Sequence, residues 1–217
     1  MNEQTGIVYF IIDTSGSMEG ARIKYINLKM DELIQGINNL SSDIKIALIT
    51  FSNGARLEAG IKPIPVSEFK WQNLSTGGVT DIGAAFKILN ELLSVSGSAA
   101  SLIFLVSDGI PTDHWKPELA KLKQNEKFNN ANKIAITIGD SIDVNEEHLI
   151  DFTGVKEAIL FNTLNADYLL CYIKKSLKKF TQREWLDIIR EVHTDTLENE
   201  FNDDDWSSCD LSSEEDW

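Results

Sequence analysis

Short runs of consecutive apolar residues, separated by segments of helical periodicity, constrain the fold of this chain most strongly. Residues 6–12 read GIVYFII and residues 101–107 read SLIFLVS. Runs of this length without polar alternation are typical of parallel strands that are covered on both faces. Between them, segment 21–40 has apolar residues at the three- and four-residue spacing of an amphipathic helix. The pattern predicts strands that alternate with helices.

The rest of the chain continues this alternation. Further strands are predicted at 44–51, 133–139 and 158–162, and further helices near 84–93, 116–126, 146–152 and 166–180. An Asn-Gly turn signal at Asn53 and Gly54 predicts that residues 55–59 return antiparallel to the second strand. Alternating strands and helices predict an α/β fold, with a doubly wound, mainly parallel sheet and helices on both faces.

Length and cysteine content favour a reduced, single-domain protein with extensions. The chain has 217 residues and two cysteines, Cys171 and Cys209, which are too few for a disulfide framework. The first residues lack the basic region of a signal peptide, and no apolar run approaches the ~20 residues of a membrane span. We therefore expect a cytoplasmic protein without a membrane segment.

The charge is concentrated at one end of the chain. Of the net −14, residues 195–217 contribute ten acids and no Lys or Arg, which leaves 24 acids against 20 bases elsewhere. Neither part has the basic surface that nucleic-acid binding requires, so nucleic acid is not an expected partner. We predict a domain over residues 1–180, a helical extension over 181–194 and an acidic tail over 195–217. The tail is expected to be disordered or bound to a partner.

Oxygen-bearing side chains follow two of the predicted strands. Asp13 ends the first strand, with Ser15 and Ser17 behind it, and Asp108 ends the strand SLIFLVSDG. Thr80 lies in the loop STGGVTDIG, just before a predicted helix. Ligands of α/β sheets bind beyond the carboxyl ends of the strands, so these side chains are expected to converge.

The donor set predicts a hard cation. It contains no His or Cys, which argues against zinc and for Mg²⁺, with Mn²⁺ or Ca²⁺ as alternatives. The hydroxyls are neutral, so the ion would stay poorly neutralised, with a coordination position open to solvent. An Asp or Glu carboxylate from a partner protein would complete both the coordination and the charge balance. The sequence therefore favours an interaction site over a hydrolytic one.

The same motifs resemble those of a known family. DTSGS, the threonine of GGVTDIG, and SDG are similar to the metal-ion-dependent adhesion site of von Willebrand factor A domains, over about residues 5–180. The resemblance implies a Rossmann-like sheet with one antiparallel edge strand, and a divalent cation that receives an acidic residue of a partner. It further implies that Ser15, Ser17 and Thr80 are ligands, whereas Asp13 and Asp108 act mainly through water.

Within that family, one branch is more similar than the others. The segments SDGIPTDHW and GGVTDIGAAF resemble the intracellular bacterial proteins associated with tellurium resistance and stress operons. The resemblance implies a role in a bacterial stress or conflict system. It says nothing about residues 181–217, which fall outside the family's domain.

Four residues near the predicted site are candidates for its rim. Trp71 and Trp115 are expected in loops beside the site, where an exposed tryptophan would anchor a partner. Packing over a helix end is the alternative for both. Asp81 would assist the metal or, as the alternative, cap the helix that begins near Gly83, and Asp113 would lie at the rim or act as a cap or turn residue.

The acidic tail offers a second source of carboxylate. Its segment DDDW would place an acid in the metal site of the same chain or of a neighbouring copy. A solvated tail without this role is the alternative.

An enzymatic function is not expected. The main rival is a Mg²⁺-dependent phosphohydrolase or phosphotransferase of the haloacid dehalogenase type. That chemistry requires a second aspartate two residues after the first, where this chain has Ser15. A Walker loop is absent, and His114, His148 and His193 are scattered without a nucleophile elbow. A structural domain with a vestigial site is the third possibility.

Overall fold

A mostly parallel sheet forms the centre of the protein. The computed structural model describes residues 6–41, 43–97, 101–108, 110–138, 147–161, 169–173 and 187–190. The strands of these residues are β1 (Ile7–Asp13), β2 (Lys45–Ser52), β3 (Gly54–Glu58), β4 (Ile64–Pro65), β5 (Ser101–Ser107), β6 (Asn132–Thr137) and β7 (Ile159–Phe161). The sheet order is β3-β2-β1-β5-β6-β7, with β4 also paired to β2. β3 and β4 run antiparallel to β2, and the other pairs are parallel.

Helices cover both faces of this sheet. They are α1 (Ala21–Leu40), α2 (Ile82–Val95), α3 (Trp115–Leu122), α4 (Glu126–Asn129) and α5 (Glu147–Thr153), and residues 169–173 and 187–190 are also helical. The predicted α/β fold, with a mainly parallel sheet, an antiparallel edge and helices on both faces, is confirmed. None of the helices in the described ranges has the length and apolarity needed to cross a membrane.

Side chains of each central strand alternate between two hydrophobic cores. Val8, Phe10 and Ile12 of β1 pack on the side of α1 and the helical residues 169–173. Ile7, Tyr9 and Ile11 pack on the other side, against α2, α3 and α5. Because successive strand residues point to opposite faces, a strand between two helical layers must be apolar at every position. This explains the uninterrupted run GIVYFII.

The register brings several strand ends to one edge of the sheet. Asp13 of β1 pairs with Phe51 of β2, and Ile12 pairs with Val106 of β5. Asp108 directly follows β5. The carboxyl ends of these parallel strands therefore meet, as the site prediction requires.

One predicted helix differs from the structure. The segment expected near 116–126 is divided into α3 and α4. Asn125 causes the division, because its side chain accepts a hydrogen bond from the Lys127 amide (3.0 Å) and so begins a second helix.

The domain boundary at residue 180 stays a prediction. The helical extension predicted over 181–194 is described only at 187–190, where Ile188 and Ile189 are buried in the α1-side core. The acidic tail 195–217 lies outside the described residues.

Candidate metal centre

Asp13 is a fully buried residue of the candidate site. Its exposed fraction is 0%. One carboxylate oxygen accepts a hydrogen bond from the Ser15 amide (2.8 Å), and the other accepts from the Ser107 hydroxyl (2.7 Å). Burial raises the pKa of Asp13, and the hydrogen bonds from Ser15 and Ser107 oppose that rise. A cation beside this carboxylate would stabilise its ionised form.

A chain of hydroxyls connects the end of β1 with the end of β5. The Ser15 and Ser17 hydroxyl oxygens lie 3.0 Å apart, and the Ser17 hydroxyl donates to Asp108 Oδ1 at 2.8 Å. The Asp108 side chain is wholly buried, whereas Ser17 is exposed. The oxygen donors therefore extend from the interior of the sheet edge to the surface.

The loop that carries Thr80 is fastened to the loop after β1. The Gly77 amide donates to the Thr14 carbonyl (2.9 Å), and the Gly16 amide donates to the Gly78 carbonyl (3.1 Å). Gly78 has φ +84°, and a Cβ atom there would lie 2.6 Å from the Asn53 side chain. Only glycine fits this position without strain, because both the backbone conformation and the available space exclude a side chain.

Thr80 is also bonded to the loop after β5. Its amide donates to the Thr112 hydroxyl, and its carbonyl accepts from the Thr112 amide, both at 3.0 Å. Thr80 itself is buried, with 6% of its surface exposed. The structure thus brings together the three loops that carry Asp13, Ser15, Ser17, Thr80 and Asp108.

Two further acids support these loops rather than the donor chain. Asp81 does not cap α2 with its side chain; its carboxylate accepts from the Gly54 amide (2.9 Å) and holds the turn between β2 and β3. Asp113 accepts from the Gly83 amide (2.8 Å) in the first turn of α2. The capping role expected of Asp81 therefore belongs to Asp113. Burial, and secondarily the charge of Asp81, raises the pKa of Asp113.

Neither tryptophan is an exposed residue at the rim of the site. Trp115, the first residue of α3, is only 8% exposed and packs in the α2-side core, with its ring 6.1 Å from that of His148. Trp71 is partly buried against the α1-side core, and its indole nitrogen is enclosed. Packing over helix ends, the alternative reading, describes both residues, because these large rings complete the two cores.

Exposed apolar side chains do flank the site, but at other positions. Val79 precedes Thr80 and is 46% exposed, and Ile110, two residues after Asp108, is 56% exposed. Sequence reasoning missed both. The available signal was an apolar residue inside each of two otherwise polar or glycine-rich loops.

A polar cavity of about 340 Å³ lies beside the site, towards β2 and β3. Its lining is rich in hydroxyl groups and includes Thr14, Thr50, Ser75, Thr76 and Arg56. The Thr50 hydroxyl is already engaged, since it donates to Glu58 at 2.7 Å. The cavity adjoins the loop after β1, next to the hydroxyl chain.

Arg22 is a cationic neighbour that the sequence did not reveal. It lies in the first turn of α1, where its guanidinium donates to the Ser17 carbonyl (2.9 Å) and forms an ion pair with Asp108. The contact is long-range, and nothing in the local pattern indicates which loop the side chain reaches.

The donor set fits a hard divalent cation. It offers two carboxylates and three hydroxyls, all oxygen donors of the kind that Mg²⁺ prefers. Within the ranges that the structure describes, no three His, Cys, Asp or Glu side chains are grouped to hold a metal. A cation at this edge would therefore depend on the hydroxyls of serine and threonine, with waters in the remaining positions.

Comparison with known sequences finds similarity to one domain family. Residues 8–110 match the family model of the von Willebrand factor type A domain. Inter-alpha-trypsin inhibitor heavy chain H2 of Sus scrofa is 26% identical over 220 residues, covering 89% of this chain and 22% of that protein. The Homo sapiens protein is 26% identical over 218 residues, covering 90% of this chain and 22% of that protein. This chain thus spans about a fifth of the length of these curated relatives.

Comparison with solved structures supports the same fold. A von Willebrand factor type A protein of Catenulispora acidiphila superposes with a TM-score of 0.57 at 18% identity, covering 87% of this chain and 43% of its own. The pilus adhesin SpaC of Lactobacillus rhamnosus GG, in its open conformation, superposes with a TM-score of 0.60 at 15% identity. The match covers 88% of this chain and 31% of the adhesin. Proximal thread matrix protein 1 from the mussel byssus was solved with a zinc-occupied MIDAS motif. It superposes with a TM-score of 0.59 at 18% identity, covering 81% of this chain and 45% of its own. Residues 8–110 are therefore similar to the von Willebrand factor type A domain, and the solved structures share the fold of this chain.

Proposed function

We propose that this protein is a metal-dependent interaction module, which binds an acidic side chain of a partner protein through a divalent cation. Von Willebrand factor type A domains are known for metal-dependent adhesion between proteins, and they are mostly interaction modules rather than enzymes. One observation carries the proposal: the hydroxyls of Ser15 and Ser17 join the end of β1 to buried Asp108 and reach the surface.

Five residues would hold the cation. Ser15, Ser17 and Thr80 would bind it with their hydroxyls, while Asp13 and Asp108 would act mainly through bound water. Mg²⁺ is the proposed ion, because neutral hydroxyls and few carboxylates suit a cation that retains several waters, and Mn²⁺ or Ca²⁺ are the alternatives. When bound, the ion supplies a positively charged position that accepts a carboxylate oxygen.

The surroundings indicate what else a partner would contact. Val79 and Ile110 present apolar surface on the loops of Thr80 and Asp108, and exposed apolar side chains beside a charged site are suited to the centre of a small interface. The polar cavity next to Thr14 would receive hydrophilic groups that flank the acidic residue. A partner segment with one acid and adjacent apolar and polar residues fits this arrangement.

The biological setting is proposed from the sequence. The resemblance of SDGIPTDHW and GGVTDIGAAF to the tellurium-resistance branch supports a cytoplasmic role in a bacterial stress or conflict system. The acidic tail 195–217, of the same chain or of a neighbouring copy, is a candidate source of the carboxylate, since it contains ten acids.

Calorimetric titration with Mg²⁺ tests the proposal. The wild-type protein should bind one ion, and Ser15→Ala should lose most of that affinity because it removes a proposed ligand. Ser94→Ala is the matched control, since it deletes a hydroxyl from an exposed serine of α2 whose partners, the Asn90 carbonyl and the Asn125 side chain, are not among the proposed ligands. Equal Mg²⁺ affinity of Ser15→Ala and Ser94→Ala would refute the assignment of Ser15.

A second measurement addresses the partner. A chain truncated after Thr194 is compared with the full chain for self-association in Mg²⁺ and in EDTA. Metal-dependent self-association that disappears on truncation would support the tail as the ligand. Unchanged behaviour with intact Mg²⁺ binding would assign the carboxylate to another protein.

A further inference from the structure

Arg22 places a cation of the chain itself against a carboxylate of the candidate site. Its guanidinium forms an ion pair with Asp108 Oδ2 and donates to the Ser17 carbonyl at 2.9 Å. The Arg22 side chain is 36% exposed, whereas the Asp108 side chain has no exposed surface. The other oxygen of Asp108 accepts from Ser17, so one buried carboxylate is shared between a proposed metal ligand and an arginine.

The position of Arg22 is unfavourable for the helix that carries it. Arg22 lies in the first turn of α1, where the helix dipole is positive and cations are disfavoured. That turn contains no acidic residue, and Gly20 at the N-cap makes no side-chain cap hydrogen bond. The stabilising partner of the guanidinium is therefore Asp108 on a different loop, rather than anything within α1.

Arg22 changes the net formal charge of the candidate site. Asp13 and Asp108 contribute −2 and Arg22 contributes +1, so the described site carries −1 before any ion is added. A divalent cation brings the sum to +1, which attracts a carboxylate. Without Arg22 the loaded site would be neutral and would attract it less.

We infer that Arg22 is a specificity-determining residue of the metal site, which competes with the divalent cation for Asp108 and keeps the loaded site positive for a carboxylate ligand. The inference rests on the proposed function. It assigns to one guanidinium two effects of opposite sign: weaker binding of the metal and stronger binding of the anion. A purely structural ion pair would not combine weaker metal binding with stronger anion binding.

The test compares charge removal at two positions of the same helix. Arg22→Gln and Lys24→Gln delete the same charge, but Lys24 is exposed and its ammonium group forms no hydrogen bond or ion pair among the described residues. Mg²⁺ is titrated calorimetrically into the full-length protein and both variants. Two unit charges about 4 Å apart change an equilibrium by about fivefold even in water, and a divalent ion responds more strongly. Arg22→Gln should therefore bind Mg²⁺ at least about fivefold more tightly. Lys24→Gln should remain close to wild type.

The second part of the test measures anion binding, with acetate as the probe. Acetate is titrated into each Mg²⁺-saturated protein, and its affinity for Arg22→Gln should fall by a similar factor, while Lys24→Gln is unaffected. Arg22→Lys retains the charge and should restore both values towards wild type. Metal and acetate affinities that move in the same direction in Arg22→Gln would overturn the inference.

The outcomes separate this inference from the proposed function. If wild type binds Mg²⁺ and Arg22→Gln binds it equally, the inference fails and the metal site stands. If neither binds Mg²⁺, both fail, whereas binding by Arg22→Gln alone would support strong competition by Arg22. Should Arg22→Gln not fold, the side-chain NMR signal of Arg22 in the wild-type protein decides. It should shift with Mg²⁺ occupancy while that of Arg190, paired with Asp187, stays fixed, and no shift would overturn the inference.

Discussion

The two ends of the sheet bury charged groups in different ways. At the carboxyl end, Asp13 and Asp108 are enclosed beneath loops whose hydroxyls reach the surface. At the amino end of β6, Lys133 is largely buried, donates to the carbonyls of Phe128 and Ala131 at 2.9 Å each, and lies 4.7 Å from the Phe128 ring. The lysine is thus held by fixed partners, whereas the aspartates belong to a chain of donors that opens to solvent.

This difference separates a buried charge with a structural role from the buried charges of the proposed metal site. Burying a charge costs stability wherever it occurs, unless partners compensate for lost hydration. At the amino end two backbone carbonyls and an aromatic ring supply compensation. At the carboxyl end a cation would supply part of it, so substitutions there should change metal binding more than stability. Three predictions examine this contrast, beginning with the largest effect.

Asp13→Asn should strongly weaken Mg²⁺ binding without destabilising the ion-free protein. The amide is isosteric with the carboxylate, and burial already disfavours the charged form of Asp13. Loss of a group that orients metal ligands costs about 10- to 100-fold in affinity. Calorimetry with Mg²⁺ and urea unfolding in EDTA measure the two quantities. A variant with normal Mg²⁺ affinity would remove Asp13 from the site.

Gly78→Ala should weaken both the fold and the metal site. The added Cβ atom meets the Asn53 side chain, and φ is +84°, so we expect a loss of about 1–3 kcal/mol in the free energy of unfolding. Because Gly78 accepts from Gly16, the displaced loop should also lower Mg²⁺ affinity. Gly97→Ala is the control, since a Cβ atom there meets nothing within 4 Å. Equal stability of the two variants would show that the Thr80 loop is not held rigidly.

Lys133→Met should change stability in a pH-dependent manner and leave Mg²⁺ binding unaffected. Burial lowers the pKa of Lys133 from 10.5 to about 8, so between these values the unfolded chain binds more protons than the folded one. The lysine's contribution to stability therefore improves as pH rises through that window. The advantage of Lys133→Met should be largest near pH 7 and shrink towards pH 10 in urea unfolding. A pH-independent difference would contradict the assigned cause.

The sequence predicted what depends on local pattern and sheet topology. β1 and α1 were predicted because apolar runs and helical spacing persist over many residues, and the convergence of Asp13, Thr80 and Asp108 was expected because parallel strands end at one edge. Arg22 was missed, whereas the capping role of Asp113 and the packing of Trp115 were predicted only as alternatives to a place at the rim. Each depends on a contact with a residue distant in the chain, which no local pattern encodes. The tail lies outside the described residues, so its role stays a prediction.

The hydrogen bond between Ser17 and Asp108 joins residues that are 91 positions apart. The loops it connects can meet only after β5 has paired with β1, and so the donor arrangement is absent from the unfolded chain. An ion that needs both loops would bind the native state alone, and mass action would then raise the melting temperature with ion concentration. If the proposed site is correct, the protein would be able to bind a divalent cation only once β1 and β5 have come together.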